Sequence, residues 1–422
     1  MDDPQVLEQM RADWNRRASE DAYYYVAFGR QQQGDDEFFA TARDVVKMLT
    51  AEFRRLPGRD AALEIGCGPG RLLRPLSAHF GEIHGVDVSD EMIRRARELL
   101  RHTPNAHPHS TAGSDLALFP DAKFDFVYSY AVFQHIPSRE VVFQYLRDAR
   151  RVLKPGGILR CQLNGLPPHA KQYDTWNGVR ITPEEIHAFA REHDFQLLAL
   201  EDIWTQYMWM TFRKPGDEAT PNADAPAILR INNALTGEAV APDSGYLAAL
   251  SLLVRDLPPE TDLNNLSVTV DNLPCRVAYI GPPAADGVTQ VNAILPMGAR
   301  TGLLPVIASG SGWACSGAIR IIPAGPAVPR VAQVTDGVNL LLGSRTSSGI
   351  VKVRMLDLAH PEQFRASVDG RPVLGLDAFC TDPTRQTHEF NFHLPESTAQ
   401  GMHELRLAVG RRELAPLALE VL

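Results

Sequence analysis

A five-residue run suited to a buried strand, Ala61–Ile65, leads directly into Gly66-Cys67-Gly68-Pro69-Gly70-Arg71, and a helical stretch follows. Few sequence features restrict a fold as strongly, because strand, glycine turn and helix together open a nucleotide-binding α/β sheet. Glycines at 66, 68 and 70 allow a tight turn and a close backbone approach to a ligand that a Cβ would exclude. A dinucleotide loop spaces its glycines G-x-G-x-x-G, which would put the third at position 71, where Arg71 stands. The spacing here is G-x-G-x-G with an acid, Glu64, ahead of it, which argues against a nicotinamide-dependent oxidoreductase.

The α/β pattern continues to about Lys214. Ile83–Val88 is a second strand run, carrying Asp87 near its end, 21 residues after Gly66. An acid there can accept hydrogen bonds from both ribose hydroxyls. Ser89-Asp90-Glu91 then opens a helix with a cap residue and two acids that suit its dipole. Phe126–Tyr130 is a third run. Pro137-Ser138 precedes a helix with Val141, Val142, Tyr145 and Leu146 on one face, which the pattern ends at Pro155-Gly156-Gly157. Ile158–Leu163 is the next strand, Thr182-Pro183-Glu184-Glu185 a capping box, and strands follow at Phe195–Leu200 and Gln206–Phe212. Pro75 should kink or delay the helix after the glycine loop.

Beyond a polar, proline-bearing linker the helical signals nearly vanish. Short β-type runs replace them: Leu266–Val270, Val288–Leu295, Leu303–Ala308, Ile350–Leu356, Glu389–Leu394 and Glu404–Val409. This half also repeats. Asp271 and Asp369 lie in matching segments 98 residues apart, Asn292 and Asn391 in matching segments 99 apart, and Gly302 matches Gly401. That period fits two tandem Ig-like β-sandwiches of ~100 residues each.

Composition excludes several classes. Fifty-one acids against 42 Lys and Arg give a net charge of −9, which opposes a general grip on nucleic acid. The longest apolar run, about Tyr246 to Val254, falls short of the ~20 residues of a membrane span. Five scattered cysteines without a C-x-x-C pair oppose a disulfide framework or structural zinc, and the first residues show no signal-peptide pattern. No His, Cys and Asp cluster has metal-ligand spacing, so no metal is expected. The expected location is the cytoplasm.

Glu64-Ile65-Gly66-Cys67-Gly68-Pro69-Gly70, Asp87, Gly113-Ser114-Asp115-Leu116, Phe133-Gln134-His135 and Val152-Leu153-Lys154-Pro155-Gly156-Gly157 stand in order. Over about Asp13 to Lys214 this run resembles the class I S-adenosylmethionine-dependent methyltransferases of the broad small-molecule type. The resemblance implies an α/β, Rossmann-like fold of seven strands, mostly parallel, with the last antiparallel. It implies S-adenosyl-L-methionine as cofactor and S-adenosyl-L-homocysteine as product. Carried over by motif, Glu64, Gly66, Cys67, Gly68 and Gly70 form the cofactor loop. Asp87 would take the ribose and Val88 would lie beside the adenine. Gly113, Asp115 and Leu116 would meet the adenine amino group, and Tyr130 with Ala131 would line the methyl-transfer face. The implied organisation is a methyltransferase domain at 1–215 with N-terminal lid helices at 1–57. A linker follows at 216–226, then Ig-like sandwiches at 227–324 and 325–422.

For the acceptor the candidates are Tyr24 and Tyr25 on the lid, Gln134, and His169, Tyr173, Asp174 and Trp176 after the fifth strand. Each reads equally as core aromatic or loop residue. His135 is either a general base on an acceptor oxygen or a histidine that orients its loop. The expected reaction is methyl transfer to a hydroxyl of a glycan or small metabolite, with an amine or carboxylate as alternatives. A different class of reading is an assembly protein with a vestigial pocket, whose sandwiches bind a partner or pair two copies into a homodimer. The intact glycines and Asp87 favour the enzyme.

Overall fold

A computed structural model describes residues 3–27, 32–168, 173–216, 225–337, 343–382 and 385–422. The first half begins with helices α1 (Asp3–Ala27), α2 (Asp35–Ala40) and α3 (Arg43–Thr50). There follow β1 (Ala61–Ile65), α4 (Leu73–Leu76), β2 (Glu82–Asp87), α5 (Asp90–Leu99), β3 (Ala106–Ser110) and β4 (Phe124–Ser129). Then come α6 (Arg139–Val152), β5 (Leu153–Leu163), α7 (Pro183–Glu192), β6 (Gln196–Glu201) and β7 (Met208–Arg213). These strands lie in the order β3-β2-β1-β4-β5-β7-β6. β1 to β5 pair in parallel, whereas β7 runs antiparallel to both β5 and β6. β1 and β4 are buried along their whole length, which explains their near-continuous apolar sequence: helices cover both faces of a parallel sheet.

Local signals act as their chemistry predicts. Ser89 Oγ accepts from the Met92 amide and Ser138 Oγ from Val141, and Thr182 with Glu185 forms the reciprocal capping box. The helix holding Pro75 lasts only four residues before a single 3-10 turn, Ser77–His79. One reading is corrected. Pro155-Gly156-Gly157 does not lie in a loop after the helix; α6 stops at Val152 and β5 starts at Leu153, so the triplet sits inside the strand. Gly156 at φ +77° and a register slip between Phe124 and Phe126 on β4 absorb it as a bulge.

Most of the expected linker, residues 217–224, lies outside the described residues. The second half continues with β8 (Ala227–Asn233), β9 (Val240–Pro242), β10 (Ala249–Arg255), β11 (Ser267–Val270) and β12 (Leu273–Ile280). Next are β13 (Val288–Ile294), β14 (Gly302–Gly310), β15 (Trp313–Ile322), β16 (Arg330–Asp336), β17 (Arg345–Thr346) and β18 (Ile350–Leu356). Last come β19 (Phe364–Val368), β20 (Arg371–Pro372), β21 (Leu374–Asp382), β22 (Thr387–His393), β23 (Gly401–Val409), β24 (Arg412–Glu413) and β25 (Leu417–Val421).

One pairing scheme occurs twice. β8-β10-β13-β12 and β11-β14-β15-β9 are matched by β16-β18-β22-β21 and β19-β23-β25-β17. The rare parallel contact recurs too, β15 with β9 and β25 with β17. Asp271-Asn272 and Asp369-Gly370 turn between equivalent strands with φ positive at both residues, the geometry that suits a two-residue hairpin. In the second unit Val353 and Phe390 of one sheet share an apolar cluster with Phe364, Leu405 and Leu419 of the other.

The two halves are joined. β6 continues into β12 through a bridge between Ala199 and Tyr279. The second unit reaches the β6–β7 turn through Lys352 Nζ to Gln206 Oε1 at 2.7 Å and Arg354 to Asp202 at 3.1 Å.

Candidate active site

The cavity forms where β1, β2 and β4 end, the position at which open α/β sheets bind ligands. The glycine loop is fastened to β2 by the amides of Gly66 and Cys67, which both donate to the Val86 carbonyl at 2.8 and 3.0 Å. Gly66 has φ +75°, and a Cβ there would lie 2.3 Å from Val132, so no other residue fits. Asp87 Oδ2 accepts from the Gly68 amide at 2.9 Å and Oδ1 from the Ser89 amide at 2.9 Å. Burial nonetheless raises its carboxyl to about 6, with these amides pulling the other way.

Glu64 is buried against Tyr128 Oη at 3.1 Å, and burial lifts its carboxyl to about 8. Arg71 is buried on the same wall. Its Nη1 bonds Thr41 at 3.3 Å, its guanidinium lies 5.3 Å from the Tyr130 ring, and its Nε has no hydrogen-bond partner. Desolvation lowers the Arg71 pKa, the strain of a cation held away from water. Burial also pushes the Cys67 thiol well up, so this cysteine is no nucleophile.

The lid helix α1 closes the cavity from above with Met10, Trp14, Tyr25 and Val26. It is tied to the β2–α5 turn: Asn15 Oδ1 accepts from Ser89 Oγ at 2.8 Å and the Glu91 amide at 3.1 Å, and Arg11 pairs with Asp90 at 3.0 Å. The helix breaks at Asp21 (φ −164°), whose Oδ1 accepts from the Tyr24 amide. That break turns Tyr24 and Tyr25 in different directions. Tyr25 lines both this cavity and a neighbouring one, whereas Tyr24 lines only the neighbouring one and hydrogen-bonds Ser347 of the second β unit at 2.5 Å.

His135 lines the cavity and is 2% exposed. Its Nδ1 lies 3.1 Å from the Trp176 carbonyl oxygen. A carbonyl only accepts, so Nδ1 carries the proton and Nε2 the lone pair. Burial first, then repulsion from Arg17, lowers the imidazolium pKa to about 4, so the ring is neutral at physiological pH. Trp14 and Trp176 pack against it at 5.5 and 5.7 Å.

Of the expected residues, Glu64, Gly66, Cys67, Gly68, Asp87, Val88, Tyr130, Tyr25 and His135 meet on this cavity. Gly70, Gly113, Asp115 and Leu116 do not line it. Gly113 packs under Val88, which a Cβ would meet at 2.6 Å, and Leu116 is core. Asp115 spends Oδ1 on the Ala117 amide at 3.0 Å, closing its own turn. Gln134 is buried off the cavity with both side-chain polar atoms lacking partners, and Tyr173 packs on the core. Trp176 faces the neighbouring cavity, and His169 lies outside the described residues. Sequence reasoning missed Arg71 as a ligand-facing cation. Its position inside the loop motif was the available signal. Among the described residues no three His, Cys, Asp or Glu are arranged to hold a metal ion, and no helix is long and apolar enough to cross a membrane.

A family model described as a methyltransferase domain matches residues 62–157. The 2-methyl-6-phytyl-1,4-hydroquinone methyltransferase of Synechocystis is 35% identical over 106 residues, 25% of this chain and 32% of that protein. The trans-aconitate 2-methyltransferase of Agrobacterium fabrum is 33% identical over 150 residues, 34% of this chain and 53% of that protein. The chain thus spans between a third and about half of these relatives' lengths. Among solved structures, phosphoethanolamine N-methyltransferase 1 of Haemonchus contortus aligns over 52% of each chain, at 16% identity and a TM-score of 0.37. Together with the glycine loop and the cavity at the ends of β1, β2 and β4, these matches show that the N-terminal part of this chain carries a class I S-adenosylmethionine-dependent methyltransferase domain.

Proposed function

We propose that the whole chain is an S-adenosylmethionine-dependent methyltransferase whose acceptor atom is a hydroxyl oxygen of a small molecule or glycan. The residues suit the cofactor. Asp87 keeps lone pairs for the ribose hydroxyls, the glycine loop packs closer to Val132 and Leu100 than any Cβ would allow, and the Arg71 guanidinium, with Nε unpartnered, is matched to a carboxylate. When bound, S-adenosylmethionine supplies an activated methyl group on its sulfonium. The chain then has to hold the acceptor in line, exclude water and dispose of a proton.

The observation that carries the oxygen assignment is His135. Its fixed tautomer leaves Nε2 unprotonated on a ring that lines a cavity closed by Trp14 and Tyr25, and that nitrogen can take the proton of an acceptor hydroxyl. An amine acceptor needs only to be unprotonated and would leave this base idle. The β half is read as two Ig-like sandwiches.

The test uses the full chain. Calorimetry with S-adenosylhomocysteine should show binding that Asp87→Ala abolishes. His135→Asn retains an amide donor for the Trp176 carbonyl but removes the base. It should leave that binding intact and slow transfer of labelled methyl to a hydroxyl acceptor ~100-fold. Unimpaired transfer in His135→Asn would remove the oxygen assignment, and no binding by the folded wild type would remove the enzyme reading.

A further inference from the structure

A second cavity lies beside the first between the lid, the segment carrying Trp176 and the second β unit. Tyr25 belongs to both, and the residue next along the wall, Trp176, is the one whose carbonyl fixes the His135 tautomer. Tyr25 and Trp176 thus stand between this cavity and His135. The far wall is Ser347 and Gln400 of the second β unit. That wall is held in place by the Tyr24–Ser347 hydrogen bond and by Lys352 on Gln206.

We infer that this cavity is the acceptor's binding site, shared between the methyltransferase domain and the second β unit, and that its ligand is a neutral carbohydrate. The hydroxyl it offers to His135 rests on the reading above; its binding does not. The wall joins aromatic rings, with Tyr25 edge-on to Tyr24 at 5.3 Å and to Trp176 at 6.2 Å, to a guanidinium, an amide and a hydroxyl from Arg16, Gln400 and Ser347. A sugar presents an apolar C–H face to rings and hydroxyls to such groups.

Other acceptors fit less well. An apolar quinol would desolvate the Gln400 amide without giving it a hydrogen bond. An ammonium would meet two guanidiniums, Arg16 and Arg17, on the same wall. A carboxylate gains little, because the cations already have partners. Arg16 pairs with Asp13 and Glu20 at 3.5 Å each, and Arg17 bonds Thr175 between the rings of Trp14 and Trp176.

Saturation-transfer NMR on the full chain with excess S-adenosylhomocysteine tests this. The probes are methyl glycosides of glucose, mannose and galactose, N-acetylglucosamine and rhamnose, with citrate and ethanolamine as anionic and cationic comparators. At least one saccharide should receive saturation. Gln400→Ala, a change at an exposed residue, should weaken it about five-fold, the loss of one hydrogen bond, without altering S-adenosylhomocysteine affinity. Signals only on citrate or ethanolamine, or none on any probe, overturn the carbohydrate assignment. Saccharide binding that Gln400→Ala leaves unchanged overturns the role of the second β unit. Failure of S-adenosylhomocysteine alone to bind counts against the cofactor reading instead, since saccharide transfer is scored separately.

Discussion

At the scale of single residues the site is a set of ionisable groups held in the wrong state for water. Glu64 is 3% exposed, and its carboxyl stands at about 8 because burial penalises the charge more than Tyr128 and Arg71 relieve it. An acid raised from 4.5 binds its proton more tightly folded than unfolded. Its stabilising contribution is therefore complete below pH 4.5 and is lost as pH rises through 8. Glu64→Gln keeps a neutral amide opposite Tyr128 and does not titrate. Denaturant unfolding of the two proteins should match near pH 4.5 and diverge with rising pH, the variant becoming the more stable by up to ~5 kcal/mol above pH 8. Parallel curves across that range would show that Glu64 titrates normally. Of this site, the sequence made Glu64, Asp87 and the loop glycines legible, because each is dictated by backbone geometry over a few residues. Arg71 and the His135 tautomer were not legible. One depends on how deeply the fold buries the guanidinium and the other on a carbonyl 41 residues away.

At the scale of elements, the strands and caps that could be read were those whose cause is local. Ser89, Ser138 and Thr182 each satisfy an amide three residues on, so their helices begin where the sequence placed them. The edge of β4 facing the Pro155 bulge could not be read, because the proline's fate is set by its neighbour in the sheet. The lid shows the same contrast. Its helical stretch was visible, but its seat on α5 depends on Asn15, which shares the Ser89 hydroxyl and the Glu91 amide across more than 70 residues. Asn15→Ala should leave α5 capped by Ser89 and cost ~1 kcal/mol of stability. S-adenosylhomocysteine affinity should fall about ten-fold as the lid loosens over Trp14 and Tyr25. Calorimetry checks this. An unchanged affinity with normal unfolding would mean that Arg11 and the apolar contacts seat the lid without Asn15.

At the scale of the whole molecule, the repeated β units solve a problem that the methyltransferase sheet leaves open. β6 is an edge strand, and bare edges invite pairing with other chains. The first β unit covers this one: the Leu263 amide donates to the Leu197 carbonyl at 2.8 Å, Asp262 Oδ2 accepts from the Leu197 amide at 3.1 Å, and Tyr279 bridges to Ala199. Their apolar contacts are continuous as well, since Leu197 and Leu200 share one core cluster with Ile280 and Val291. No composition or period reports such a seam, because each strand satisfies its own pattern with or without it. Asp262 is the residue to test, being 6% exposed with its other oxygen tied to the amides of Asn264 and Asn265. Asp262→Ala strips the buried Leu197 amide of its acceptor and should cost ~2–3 kcal/mol. It should also raise hydrogen exchange at Leu197 and Leu263 together while leaving the second β unit protected. In the wild type the methyltransferase domain and first β unit should melt as one calorimetric transition. Separate transitions, or exchange at Leu197 that ignores Asp262→Ala, would mean that the two bodies fold independently and merely touch.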